Sequence, residues 1–162
     1  EDYTYYYFDI KNDYFGEALD KFSSQFEHPL LTEDCSDREM NAVDTEFKKN
    51  LSNESRARTQ IEKHHAVLPG SILNRFSTGN LESLKVPGIM DELRKFYNAN
   101  YSSNLMSLVL VGRQNVDELQ KYAETYFSEI QNKDYPVRDF SNEVCFDKEH
   151  TFGKIFKIVP AK

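Results

Sequence analysis

Apolar positions recur along this chain at two different periods, and the switches between them mark its elements. Phe15, Ala18, Leu19, Phe22 and Phe26 fall at i, i+3, i+4, i+7 and i+11, the stripe of an amphipathic helix. Asn12 or Asp13 supplies a cap before it. His28-Pro29 closes it, because the residue before a proline is pushed out of the helical region. Met40, Val43, Phe47 and Leu51, continued by Ile61, predict a long helix opened by Asp34 or Ser36 and running to about Lys63. Ile89, Leu93, Phe96 and Tyr97 predict a further helix of about twelve residues. The clearest stripe is Leu119, Tyr122, Ala123, Tyr126, Phe127 and Ile130, preceded by Asn115-x-x-Glu118 at capping-box spacing.

Three segments have a different texture. Tyr3 to Ile10 places aromatic or aliphatic residues on both faces, Leu105 to Val111 is a short apolar run bounded by Ser and Gly, and Thr151 to Val159 closes the chain. Each reads as a strand. From His64 to Val86 periodicity vanishes into the turn chemistry of Pro69-Gly70, Ser77-Thr78-Gly79-Asn80 and Pro87-Gly88, and Asn132 to His150 is polar and turn-rich. A loop this long inside a domain is usually functional or mobile. The order of elements predicts an α+β, two-layer domain with helices packed on one face of a mixed β-sheet.

Composition narrows the function classes. At 162 residues one domain is expected. The 12 Phe and 10 Tyr argue against a disordered chain. A net charge of −7 speaks against nucleic acid or an anionic membrane as partner, and no apolar run is long enough to span a bilayer. Cys35 and Cys145 fit neither a compact zinc knuckle nor a redox pair, so two free, mostly buried thiols in a reducing, cytoplasmic compartment are expected. The opening Glu1-Asp2-Tyr3 is strand-like and lacks an initiator Met, so the chain reads as an internal piece of something longer.

Candidate chemistry centres on the second stripe. Glu39 and Glu46 lie seven residues apart, nearly two helical turns, so their carboxylates leave the helix at nearly one angle, roughly 10 Å apart along the axis. They sit on the flank of the apolar stripe. A carboxylate half turned toward a core needs a cation, a donor network or a metal to offset desolvation. Solvated charge or i, i+4 pairing is the plainer explanation of such a pair.

The run Asp37-Arg38-Glu39, Asn41-Ala42-Val43-Asp44-Thr45-Glu46, Lys49-Asn50 resembles the distal-ligand helix of the insulin-degrading enzyme family, the pitrilysin-like inverted zincins. Tyr5-Tyr6-Tyr7-Phe8-Asp9, Ala18-Leu19-Asp20-Lys21-Phe22, Thr78-Gly79-Asn80, Tyr101-Ser102-Ser103-Asn104-Leu105-Met106 and Lys157-Ile158-Val159-Pro160 continue the likeness in order. The resemblance implies the same two-layer α/β domain, and a zinc endopeptidase that attacks small peptides with zinc-bound water. It puts Glu46 at the zinc-ligand position and Glu39 at the supporting carboxylate two turns earlier. It places Asn53, Arg56 and Thr59 beside the substrate side chain just past the scissile bond, and Thr78, Gly79 and Asn80 in a loop near the site.

The resemblance has gaps. The family's His-x-x-Glu-His, which supplies two His ligands and the general base, is absent; the family places it upstream of the Tyr3 strand. The four histidines are His28, His64, His65 and His150, and adjacent His64-His65 reads as solvated rather than as a surrogate pair. The chain is therefore expected to be part of an N-terminal catalytic domain, with residues from about 155 to 162 starting the connection to the next. Alone it is expected to be inactive, because one Glu does not hold catalytic zinc. Relatives carry large apolar residues where Arg56 and Thr59 stand, which leaves acidic or polar accommodation and plain surface exposure both open. Ser77 replaces the first Gly of the family's Gly-Thr-Gly-Asn loop, and Ser71-Ile72 stands where His-Pro usually precedes it, so a different loop path is expected. Peptides and the remaining domains of a parent protein are the implied partners, and isolation is expected to expose apolar surface and promote self-association. The rival is a catalytically silent family member that serves as a partner-binding or scaffold module.

Overall fold

A computed structural model describes residues 3–157 and residue 159. Among these residues the regular elements are helices: α1 (Phe15–Glu27), α2 (Glu33–Leu51), α3 (Glu54–His65), α4 (Leu81–Leu84), α5 (Ile89–Asn100) and α6 (Val116–Phe127), with three short 3-10 turns. They fall into two compact units, one built from residues 1–31 and 93–137, the other from 32–92 and 138–162.

In the first unit α1 and α6 pack through their aromatic stripes. Phe22 meets Phe127 at 6.5 Å between ring centroids, and Phe15 meets Tyr122 edge-on at 5.8 Å. Gly16 permits this approach, since a Cβ there would stand 3.3 Å from the Tyr126 hydroxyl. Leu19, 1% exposed, is the most buried apolar side chain of the unit. Asn115 accepts from Glu118 N and Glu118 returns the bond, so α6 opens on the capping box its sequence predicts. Past α5, Ser102 is fully buried: its hydroxyl donates to Asn104 Oδ1 and accepts from Lys133 N at 2.8 Å. Asn104 in turn donates to Tyr135 O, which ties residues 133–135 to the Ser102 turn.

The mixed β-sheet is not found. The described residues contain no strand, and the α+β expectation gives way to a helical one. An apolar pattern says which side chains seek burial, but a strand exists only when a neighbouring backbone completes a ladder. Residues 3–10 are all exposed and engage the unit through side chains alone: Phe8 on Phe22, Tyr6 on Phe26, and a Tyr6–Tyr101 hydroxyl hydrogen bond. In the run from Leu105, Val109 and Val111 are 81% and 84% exposed. The last expected strand begins instead in a turn through Gly153, at φ 71°, and Ile158 and residues 160–162 lie outside the described set. Part of the Lys157–Pro160 match and of the 155–162 connection therefore lies there too.

In the second unit the expected long helix is two. Thr32, not Asp34 or Ser36, caps α2 by accepting from Cys35 N. Glu33 and Asp34 in its first turn and Lys48 and Lys49 in its last complement the helix dipole. The helix stops at Leu51, and Asn53 starts α3 by accepting from Arg56 N at 3.2 Å. Short polar side chains that bond local backbone compete with helix continuation, which is why Ser52-Asn53 interrupts the run. Cys35 is exposed rather than buried, Cys145 is half-buried, and both are free thiols.

Candidate functional site

The two helices and the loop after them build one cleft. On α2, Phe47, Asn50 and Leu51 fall at i, i+3 and i+4; on α3, Arg56, Thr59, Gln60 and Lys63 fall at i, i+3, i+4 and i+7. Each set shares a face of its helix. Together with Ser55, Ser77 and Thr78 they line a cavity of about 450 Å³.

The loop is held at both ends. Gln60 Nε2 donates to Ser77 Oγ at 3.0 Å, which fixes it to α3. Asp44 Oδ1 accepts from Leu81 N at 3.0 Å, which fixes it to α2. Between these points Gly79 turns the chain at φ 80°, a region open to glycine at little cost, and a Cβ there would also meet Leu84 at 3.1 Å. Asn80 closes the turn by capping α4, where it accepts from Ser83 N in a reciprocal capping box.

Asp44 is the buried carboxylate of α2, at 7% exposure, and the sequence reading passed over it. Its other oxygen meets Lys48 Nζ at 2.6 Å. The Lys48 hydrogen bond first, and the Leu81 N–H second, hold the Asp44 carboxyl below its ordinary value. A carboxyl lowered by folding contributes stability above the unfolded-state value near 3.8, and that contribution is lost as pH falls through the lower folded value. Urea titrations should therefore show wild type more stable than Asp44→Asn at neutral pH, with the gap closing below pH 3.8. A gap that stays constant into acid would refute the assignment.

The predicted site residues distribute unevenly. Arg56, Thr59 and Thr78 meet in the cleft. Asn53 and Asn80 are engaged as caps, and Gly79 as the turn. Glu39 and Glu46 are both exposed, so the desolvation argument belongs to Asp44 and not to them. Glu46 Oε1 stands 3.8 Å from Arg56 Nη1, a solvent-screened pair worth at most about 1 kcal/mol. It nevertheless sets Glu46 beside a residue that lines the cleft.

Catalytic zinc takes three protein ligands and an open position. Among the described residues no group of three or more His, Cys, Asp and Glu stands close enough to hold a metal ion. The rings of His64 and His65 are 84° apart in plane at the end of α3, and His150 Nδ1 is engaged by Asp147 at 2.7 Å. The donors here do not form a zinc site by themselves; Glu46 offers one carboxylate.

Residues 1–69 match the family described as Insulinase (Peptidase family M16), and residues 89–162 match the Peptidase M16 inactive domain. Over 99% of its length the chain is 39% identical to the insulin-degrading enzyme of Homo sapiens, of which it spans 16%. Over 98% of its length it is 40% identical to a putative zinc protease of Schizosaccharomyces pombe, of which it spans 17%. The crystal structure of pitrilysin superposes on 83% of the chain with a TM-score of 0.77 and 29% identity, the match covering 15% of that protein. The chain thus spans about a sixth of the length of these relatives.

Proposed function

The chain belongs to the insulinase (M16) peptidase family, and from that premise we propose that it is part of a zinc metalloendopeptidase acting on small peptides. The observation that carries the reading is the position of Glu46, exposed on α2 and linked through Arg56 to a cleft that also holds Thr59 and Thr78. Zinc in such an enzyme supplies an activated water for attack on the peptide carbonyl. In this reading Glu46 would give the metal one carboxylate, and Glu39, seven residues earlier on the same helix, would support one of the metal's other ligands. Two imidazoles and the general base come from a His-x-x-Glu-His segment outside this sequence. The chain is the later part of an N-terminal catalytic domain, and residues 155–162 begin the connection to the next domain. Peptides enter over the α2–α3 face, where Arg56, Thr59 and the Thr78-Gly79-Asn80 loop contact them, with Asn53 fixing the start of α3.

By itself the chain is inactive on this proposal, since a single carboxylate does not retain catalytic zinc. Its exposed Tyr5, Tyr7, Val109, Val111 and Ile155 would lie against the remaining domains of the parent, or against a second copy when isolated. A cytoplasmic setting, proposed here, suits the two free thiols.

A second reading, a catalytically silent member that binds a partner, draws on the match of residues 89–162 to a domain described as inactive. Chelation separates the two. Peptide hydrolysis by the full-length protein should stop on treatment with a zinc chelator and return when zinc is restored. A full-length protein that cleaves no peptide even with zinc added would favour the silent reading.

A further inference from the structure

The Glu46 carboxylate faces a cation that comes from the neighbouring helix. Its Oε1 stands 3.8 Å from Arg56 Nη1, so this pair joins α2 to α3, whereas Lys48–Asp44 and Arg58–Glu54 each lie within one helix. Lys48 and Arg58 are thus engaged by carboxylates other than Glu46. Arg56 is anchored at the start of α3, where its backbone N–H donates to Asn53 Oδ1 at 3.2 Å. A cation in the first turn faces the positive end of the helix dipole, where positive charge is disfavoured. Its guanidinium turns to an anion outside α3, and Glu46 is that anion.

The separation decides what this contact does. At 3.8 Å it lies beyond hydrogen-bond range, so Arg56 does not aim the carboxylate as a hydrogen-bonded partner of a metal ligand would. What remains is charge. Both side chains are more than half exposed, which leaves the carboxylate open to a metal and the pair screened but not cancelled. Free Glu46 attracts the guanidinium; Glu46 carrying a dication presents net positive charge and repels it. Arg56 therefore favours the metal-free state. We propose that Arg56 lowers the protein's zinc affinity by setting a fixed positive charge beside the Glu46 ligand. The inference rests on the reading that Glu46 is a zinc ligand, and it names a residue that tunes that bond without touching the metal.

Competition for zinc between the metal-stripped full-length protein and a chromophoric chelator reads this affinity without turnover. In dilute salt, Arg56→Leu and Arg56→Gln should each bind zinc about fivefold tighter than wild type. Two neutral replacements of different polarity separate charge from packing, and either serves if the other folds poorly. Arg56→Lys keeps the charge and should stay within about twofold of wild type. In about 1 M salt, where the screening length falls to about 3 Å, the margin should close. Arg58→Leu should change nothing, because that guanidinium pairs with Glu54 on its own helix. Unchanged affinity in the two neutral variants would overturn the inference, and weaker affinity would make Arg56 a support of the ligand instead; both leave the peptidase reading intact. A margin that persists in about 1 M salt, or an equal gain in Arg58→Leu, would also overturn it, since the effect would not be the charge of Arg56 on Glu46. Wild type that binds no zinc, or Glu46→Gln that binds it as tightly as wild type, would remove Glu46 from the metal and overturn both the inference and the reading beneath it.

Discussion

Replacing Glu46 with Gln in the full-length protein is expected to reduce bound zinc from about one ion per chain to below about a tenth. Peptide hydrolysis should fall by about a thousandfold or more, near 4 kcal/mol of barrier. An amide keeps the shape of the side chain but removes the charge that a dication needs from its carboxylate ligand. Folding should be almost untouched, because Glu46 is exposed and its one contact, to Arg56, is long and screened. Glu39→Gln gives the graded comparison. As a positioning residue it should cost roughly 10- to 100-fold in metal affinity or activity. Glu62→Gln, exposed on α3, should change neither. Elemental analysis of the four purified proteins reads zinc directly. Full zinc occupancy in Glu46→Gln would remove Glu46 from the metal and with it the central claim of the proposed function.

Leu19→Ala should be the most damaging single substitution for the first unit. Leu19 and Val67 are the only buried apolar residues among those described, and Val67 belongs to the other unit. Loss of a buried leucine side chain costs about 2–5 kcal/mol, through lost transfer energy and the cavity left behind. A domain's whole stability is about 5–15 kcal/mol. So thin a core has little to share that loss. Helical circular dichroism in urea should show the midpoint falling steeply for Leu19→Ala and by almost nothing for Val116→Ala, whose side chain is 77% exposed. Equal shifts in the two variants would mean that the burial of Leu19 is not what holds this unit together.

The helices were legible because periodicity is a local property. The stripe from Phe15 to Phe26 became α1, ended at His28 as the proline rule requires, and Ile89–Asn100 has the anticipated length. The break at Ser52-Asn53 escaped because Leu51 and Ile61 continue one apolar phase on either side of a cap. The strands were misread for a deeper reason: Tyr3–Ile10 and Leu105–Val111 have strand texture, but pairing is a relation between segments and no single run encodes it. Of the residues named through resemblance, Arg56, Thr59 and Thr78 line one cleft in the structure. Asn50 and Lys63 were missed although their i, i+3 and i+7 spacing to Phe47 and Arg56 was visible, since it gains meaning only once α2 and α3 are separate. Asp44 was missed because Glu39 and Glu46 drew the desolvation argument, while Asp44, one residue beyond Val43 of the stripe, is the one that pays it.

The interruption between α2 and α3 also bears on how such a protein can diverge. Glu46 and the Arg56 face sit in separate hydrogen-bonded helices, joined by a two-residue break that Asn53 re-nucleates. A substitution on α3 is therefore not transmitted along a continuous backbone ladder to the register of Glu46. On the proposed function, lineages or a protein engineer could rewrite the residues at positions 56, 59 and 63 for different peptides while the carboxylate two helical turns beyond Glu39 stays where it was.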